Sequence, residues 1–372
     1  MPRFARMLTE GMKARGHTIQ IFSPEGMFVN LPGSSMIKKW LGYVDQFIVF
    51  PFLVKKSIKA QPANSLFIFT DHALGPWVPL TAKRHHVIHC HDFLAQASAM
   101  DMVPQNPTGW TGKKYQQLIR RGYAQGKNFI SVSEKTRSDL HHFLGHIPSF
   151  SEVVYNGLNQ KFVPRERAAA RATIGKRINL DVTEGYFLHV GGNQWYKNRV
   201  GVLTIYEAWR KSAHPNRLAL LMVGETPDKS LMDAFNSSTM QSDIHFITDL
   251  EDHFIGDAYS GASLFLFPSL AEGFGWPIAE AMACGCLTIT TNEAPMTEVA
   301  GDAGFLIPAA PEDVKQQKEW ATSAADVVSN VIGLSEENRL VAVAKGIHNA
   351  ERFNTDDALN KIESIYNALV LK

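Results

Sequence analysis

The residues best suited to chemistry sit in one string, Pro268-Ser-Leu-Ala-Glu272-Gly-Phe-Gly-Trp-Pro277-Ile-Ala-Glu280-Ala-Met-Ala-Cys-Gly285. Its two carboxylates, Glu272 and Glu280, flank a turn made of Gly273, Phe274 and Gly275. The apolar run Leu264 to Phe267 just before it has the length of a buried parallel strand. Pro268 and Ser269 end that strand. Pro277 suits the first residue of a helix, because its ring already holds φ at a helical value. The helix continues through Cys284, Gly285 stops it, and Cys286 to Thr290 forms the next strand. Such a unit offers a phosphate the unpaired N–H groups and positive dipole end of the helix. The glycines let the backbone come close to a ligand. Helical side chains lean toward the N-terminus, so Glu280 faces the loop that carries Glu272. Carboxylates repel phosphate but accept hydrogen bonds from sugar hydroxyls. The combination points to a sugar nucleotide. The plainer alternative makes Glu272 a helix cap and Glu280 a surface residue. It serves for either glutamate alone, but not for the whole string at the carboxyl end of a strand, where ligands bind in such sheets.

A cation for the diphosphate is at hand in Lys197. It follows Gly191-Gly192 at a strand-to-helix turn and would oppose the negative charge that grows on a leaving group. A merely solvated lysine there would sit against the helix dipole. Arg199 is close in sequence but projects elsewhere from the helix. Gly191-Gly192 is not the Gly-x-Gly-x-x-Gly of nicotinamide or flavin enzymes, and no phosphate-loop lysine motif occurs. His91-Asp92 ends another strand, preceded by His85, His86 and His89. Positions 85, 89 and 91 share a strand face. No carboxylate or cysteine cluster completes a metal shell around them, so the reading is no metal.

At this point the chain resembles a known family. Pro-Ser-x-x-Glu-Gly-Phe-Gly-x-Pro-x-x-Glu-Ala-Met-Ala-x-Gly is similar to the signature of retaining glycosyltransferases with the GT-B fold, family 4 (group 1). The resemblance runs over nearly the whole chain. It implies that Glu272 meets the donor sugar, that Glu280 meets the ribose, and that His91 lies close to the transferred sugar. With Lys197 these give catalytic candidates His91, Glu272 and Lys197. The donor-binding set is Gly191, Gly192, Lys197, Glu272, Gly273, Phe274, Gly275 and Glu280. The family works without a metal or other cofactor, its donor being a nucleotide diphosphate sugar. It usually places a second cation beside the lysine, where this chain has Tyr196.

Positioning these residues takes an α/β architecture. Strands are expected at His17–Phe22, Ser65–Thr70, His86–Cys90, Asn128–Ser133 and Val153–Tyr155, then at Tyr186–Val190, Leu218–Val223 and Ile244–Ile247. Helices alternate with them, including 34–60 (divided or kinked by Pro51), Leu74–Lys83, 113–125, Glu134–Leu144 capped by Ser133, and Thr355–Leu371. Strands alternating with helices imply two Rossmann-like, doubly wound parallel sheets. In the GT-B fold the two domains face across a cleft that holds the active site. The expected division is 1–165 as the acceptor-side domain and 166–354 as the nucleotide-sugar domain, with a poorly patterned linker over 158–180. By the resemblance, helix 355–372 crosses back to the first domain. The family also begins with a strand and glycine-rich loop ahead of an Arg-Gly-His like Arg15-Gly16-His17. That first strand is missing here, so the expectation is an N-terminal domain without it, or a start lying upstream.

Bulk properties narrow the class. With 372 residues and 45% hydrophobic content, two full cores are affordable. Three cysteines are too few for a disulfide framework and imply a reducing, cytoplasmic setting. No apolar run approaches the roughly 20 residues that span a bilayer. Charge is unevenly split: residues 1–165 hold 20 Lys+Arg against 9 Asp+Glu, while the remainder holds 17 against 27. The basic half includes Lys38, Lys39, Lys55, Lys56 and Lys59 around Trp40 and Phe47 to Phe52, the composition of an interfacial helix. A peripheral contact with an anionic membrane is therefore expected there, with a solvated lysine face as the alternative. The functional expectation is a retaining hexosyltransferase. It would act on an acceptor glycan or lipid-linked saccharide in cell-surface polysaccharide or glycolipid biosynthesis. The rivals are an epimerase or phosphorylase of the same fold, and a non-catalytic sugar-nucleotide-binding protein.

Overall fold

Among the described residues ten short strands, all pairing in parallel, make two sheets. The structure is a computed structural model and describes residues 2–158, 160–212 and 217–371. It divides into two units, one from residues before 160 together with those from 355 on, the other from 160–354.

In the first unit the sheet runs in the order β1 (Phe67–Phe69), β2 (His86–Cys90), β3 (Asn128–Ser131), β4 (Phe150–Val153). Alternate residues of the strands feed two separate cores, as the pleat requires. Val87 and Ile130 pack with Phe4, Leu8 and Met12 of the helix Pro2–Ala14 and with Leu359 and Ile362 of the helix Thr355–Leu371. Ile88 and Phe129 pack on the other face with Val78, Ile119, Tyr123 and Leu140. Helices thus cover both faces of a parallel sheet, the condition for burying it.

Several elements depart from the sequence expectation for physical reasons. His17–Phe22 has no regular secondary structure and joins no ladder, and β1 is the first strand among the described residues. Alternating side chains make a segment compatible with a strand, but only a partner's N–H and C=O groups make it one. The helix expected over 34–60 is divided just ahead of Pro51, as its proline implied. The helices Ser35–Val44 and Phe50–Ala60 are joined by a π turn, Asp45–Val49. The wider turn leaves Pro51 in the first turn of the following helix, where its missing N–H is not needed. Leu74–Lys83 becomes a 3-10 helix, His72–Leu80, containing Pro76 and Pro79.

The second unit has the sheet order β10–β9–β8–β5–β6–β7. The strands are β5 (Tyr186–Val190), β6 (Ala219–Val223), β7 (Ile244–Ile247), β8 (Leu264–Phe267), β9 (Thr288–Thr291) and β10 (Phe305–Ile307). Its core centres on Trp209, Tyr206 and Phe187, all fully buried. Burying one such aromatic, at roughly 200 Å² and about 25 cal/mol per Å², contributes about 5 kcal/mol before conformational entropy is charged against it. The expected linker is a correction. Arg167–Ile178 is a helix, its first turn capped by the Glu166 carboxylate, and Ala170 and Ile174 are buried. Arg165 already belongs to this unit, pairing with Asp257 and donating its N–H to Ser260.

Candidate functional site

Within the second unit, the loops leaving the carboxyl ends of β5, β6 and β8 are tied to one another. After β5 the chain makes a close pass by the loop after β6. Gly224 has φ +147, and a Cβ there would lie 2.0 Å from the carbonyl oxygen of Gly191, so only glycine fits. Glu225 accepts from the N–H of Asn193 at 2.9 Å, and Asn193 donates to the carbonyl of Thr226 at 2.7 Å. Arg199 is 5% exposed, donates to Asn193 and to the carbonyl of Glu225, and thereby staples the two loops.

A second set of bonds ties the 195–198 turn to the loop after β8. The N–H of Leu270 donates to the carbonyl of Tyr196 at 2.7 Å, and Asn198 Nδ2 donates to the carbonyl of Pro268 at 3.0 Å. Asn198 takes a left-handed backbone conformation and caps the helix Arg199–Lys211 through Gly201 N–H. Asparagine tolerates that conformation better than most residues.

These ties bring Lys197 to Glu272. The ammonium lies 2.7 Å from Glu272 Oε1, with side chains 13% and 8% exposed. It also stands 4.9 Å from the centroid of the Phe267 ring and 5.5 Å from that of Tyr196. The residue found in place of a second cation thus supplies an aromatic face to the first.

The following helix, Trp276–Ala283, opens on Gly275 at φ +98, and Pro277 is in its first turn, one place later than expected. A helix start is where backbone N–H groups lack intrahelical partners. Phe274 packs its ring edge-on against Phe353, which anchors the loop. Glu280 is not brought to Lys197. Its Oε2 accepts from the hydroxyl of Tyr259 at 3.0 Å. Burial, then the neighbouring Glu280, push the Tyr259 phenol well above its usual pKa, so it stays a donor. Beneath the loop, His189 was not foreseen. Its Nδ1–H donates to the carbonyl of Leu266, its Nε2 has no partner among the described residues, and burial pushes its pKa down to about 3.

His91 belongs to the first unit, just after β2. Its Nε2–H donates to the carbonyl of Thr70 at 2.9 Å, and the Phe4 ring meets it edge-on at 4.5 Å. Burial lowers its pKa, against the pull of Asp71. Sequence reasoning missed Asp71 and His72, both buried, at the end of the adjacent β1. His72 Nδ1 is 3.1 Å from Asp71 Oδ1, and Asp71 accepts from Ala73 N–H at 2.7 Å. The available signal was Thr70-Asp71-His72 closing one strand just as His91-Asp92 closes the next. His86 and His89 are structural. His86 exchanges hydrogen bonds with Arg84 and Lys127 backbone, and His89 bonds the Tyr366 hydroxyl at 2.6 Å. Among the described residues no group of three or more His, Cys, Asp or Glu could hold a metal ion.

Comparison with known proteins agrees over both units. The family described as Glycosyltransferase Family 4 matches residues 1–162, and that described as Glycosyl transferases group 1 matches residues 184–330. The chain is 27% identical over 257 residues to O-antigen chain mannosyltransferase B of Escherichia coli, an alignment covering 68% of this chain and 64% of that protein. It is 37% identical over 94 residues to the serotype-specific mannosyltransferase WbdA of Escherichia coli, covering 25% of this chain and 12% of that one. Among solved structures it resembles sucrose-phosphate synthase of Thermosynechococcus elongatus, with TM-score 0.71, 19% identity, and 98% and 92% of the two chains covered. It also resembles Anabaena HepE in complex with UDP and glucose, with TM-score 0.68, 16% identity, and 96% and 88% covered. At these identities the structural likenesses speak for the fold, and the two family matches speak for descent. The chain belongs to the family 4, group 1 glycosyltransferases and has their GT-B fold of two parallel-sheet α/β domains.

Proposed function

We propose that the protein transfers a hexose from a nucleoside diphosphate sugar to a hydroxyl of a glycan or lipid-linked saccharide, with retention at the anomeric carbon. The observation that carries this is the pair Lys197–Glu272 beside a glycine-started helix. Lys197 and the helix N–H groups would receive the diphosphate, Glu272 the sugar, and Glu280, oriented by Tyr259, the ribose. Charge growing on the leaving diphosphate would be offset by the Lys197 cation. The family resemblance gives His91 a role toward the transferred sugar and the first unit a role toward the acceptor. The two mannosyltransferase relatives support mannose as the sugar and cell-surface polysaccharide as the product.

The test is turnover of GDP-mannose and UDP-glucose with a mannoside acceptor, reading the anomeric configuration of the product by NMR. Transfer with retention supports the reading. Conversion of the sugar nucleotide without an acceptor product would favour the epimerase alternative. Phosphorolysis of the glycan would favour a phosphorylase, and binding without turnover a non-catalytic role.

A second observation bears on the acceptor. In residues 34–60 the single acid, Asp45, is 3% exposed and accepts from the N–H groups of Phe28 and Val29. Trp40, Ile48, Phe52 and Leu53 are all more than half exposed, among five lysines. No described helix is long and apolar enough to cross a membrane. This face supports peripheral contact with an anionic leaflet, where each lysine contributes about 1 kcal/mol. Sedimentation with vesicles should require anionic lipid and fall with salt. It should also fall when Lys38, Lys39 and Lys55 become glutamine. Binding indifferent to lipid charge would reject the contact.

A further inference from the structure

We infer that Glu272 is an internal place-holder for the donor's diphosphate on Lys197, and that it thereby sets the site's preference for the intact sugar nucleotide over the free nucleoside diphosphate. The inference rests on the donor-binding reading above and deepens it.

Lys197 is walled by Phe267 and Tyr196, and a carboxylate oxygen already stands 2.7 Å from its ammonium. Both side chains are largely withdrawn from water, so their attraction is little screened. A phosphate oxygen arriving at Lys197 would come within a few ångströms of Glu272. Two like charges at that distance, in a partly dry site, repel strongly. The anion must displace Glu272 from the cation or share it at a cost.

The two nucleotides differ in what they return. A sugar nucleotide brings hydroxyl donors that the displaced carboxylate can accept. Free nucleoside diphosphate brings no such donor, and its terminal phosphate carries an extra ionisable oxygen. Glu272 therefore penalises the bare diphosphate more than the donor. Once the sugar has left, Glu272 regains Lys197 and the diphosphate is expelled.

The experiment is calorimetric titration of GDP, UDP, GDP-mannose and UDP-glucose into wild type, Glu272→Gln and Glu272→Asp at low salt. Glutamine keeps the shape and removes the charge. Aspartate keeps the charge but shortens its reach, and it guards against a Glu272→Gln protein that fails to fold. Glu272→Gln should bind the free diphosphate roughly tenfold more tightly, the scale of one charge-assisted hydrogen bond. The matching sugar nucleotide should gain less or lose affinity. Glu272→Asp should move in the same direction by less. Free diphosphate binding equal to or weaker than wild type in both variants overturns the place-holder while leaving donor binding intact. Absence of any nucleotide binding in wild type overturns the donor reading itself.

Discussion

Both units end an inner parallel strand in a loop that carries ionisable side chains, and the two loops treat charge in opposite ways. After β2, His91 bonds a backbone carbonyl and burial holds it toward its neutral form. After β5, Lys197 faces a carboxylate that a loop from β8 delivers. The supporting sheets are alike, so the difference comes from what each loop is tied to. In the first unit the ties are the Thr70 carbonyl and the Phe4 ring, and burial favours the neutral imidazole against the pull of Asp71 and of that carbonyl. In the second, paired loops place a lysine and a carboxylate within contact distance. One architecture thus supports a buried histidine close to a carboxylate in one half and a lysine–carboxylate ion pair in the other.

The sharpest way to break this comparison is at its two centres. Lys197→Ala should weaken sugar-nucleotide binding and turnover efficiency at least about tenfold, the loss of one bond to a charged group. His91→Ala should leave free nucleotide affinity unchanged. Calorimetry finding equal losses in the two variants would erase the contrast between the units.

The next effect is on stability against acid. His89 in the first unit and His189 in the second are both pushed down to about 3 by burial. A histidine depressed in this way stays neutral in the folded chain but takes up a proton in the unfolded chain below about 6.5. Its stabilisation is complete above that pH and is lost as pH falls through the window toward 3. Each contributes a slope of roughly 1.4 kcal/mol per pH unit there. Urea unfolding between pH 7 and 5 should show the decline, and His189→Gln should flatten it. An unchanged slope would mean that His189 is protonated in place.

The smallest effect separates the two glutamates. Glu280→Ala should weaken free and sugar-bearing nucleotides alike, by about fivefold, or about 1 kcal/mol. Loss confined to the sugar nucleotide would assign Glu280 to the sugar and reverse the roles.

Much of this was legible in the sequence because its causes are local. Leu264–Phe267, the two glycines, Pro277 and Gly285 specify strand, loop and helix through backbone preferences that each residue carries by itself. Ser133 capping Glu134–Leu144 is of the same kind, its hydroxyl accepting from Thr136 N–H. The helix Arg167–Ile178 was harder to see, because its buried face is small, Ala170 and Ile174, and gives little periodicity. The tertiary structure alone decided the rest. Whether His17–Phe22 is a strand depends on a neighbour's ladder, which no residue in the segment can supply. The π turn ahead of Pro51 accompanies a buried Asp45 that holds Phe28 and Val29 across a gap in sequence. Lys197 and Glu272 lie 75 residues apart, and each looks independent on the page. Only the side-by-side order of β5 and β8 places one charge against the other, because parallel pairing brings their carboxyl ends to the same edge of the sheet.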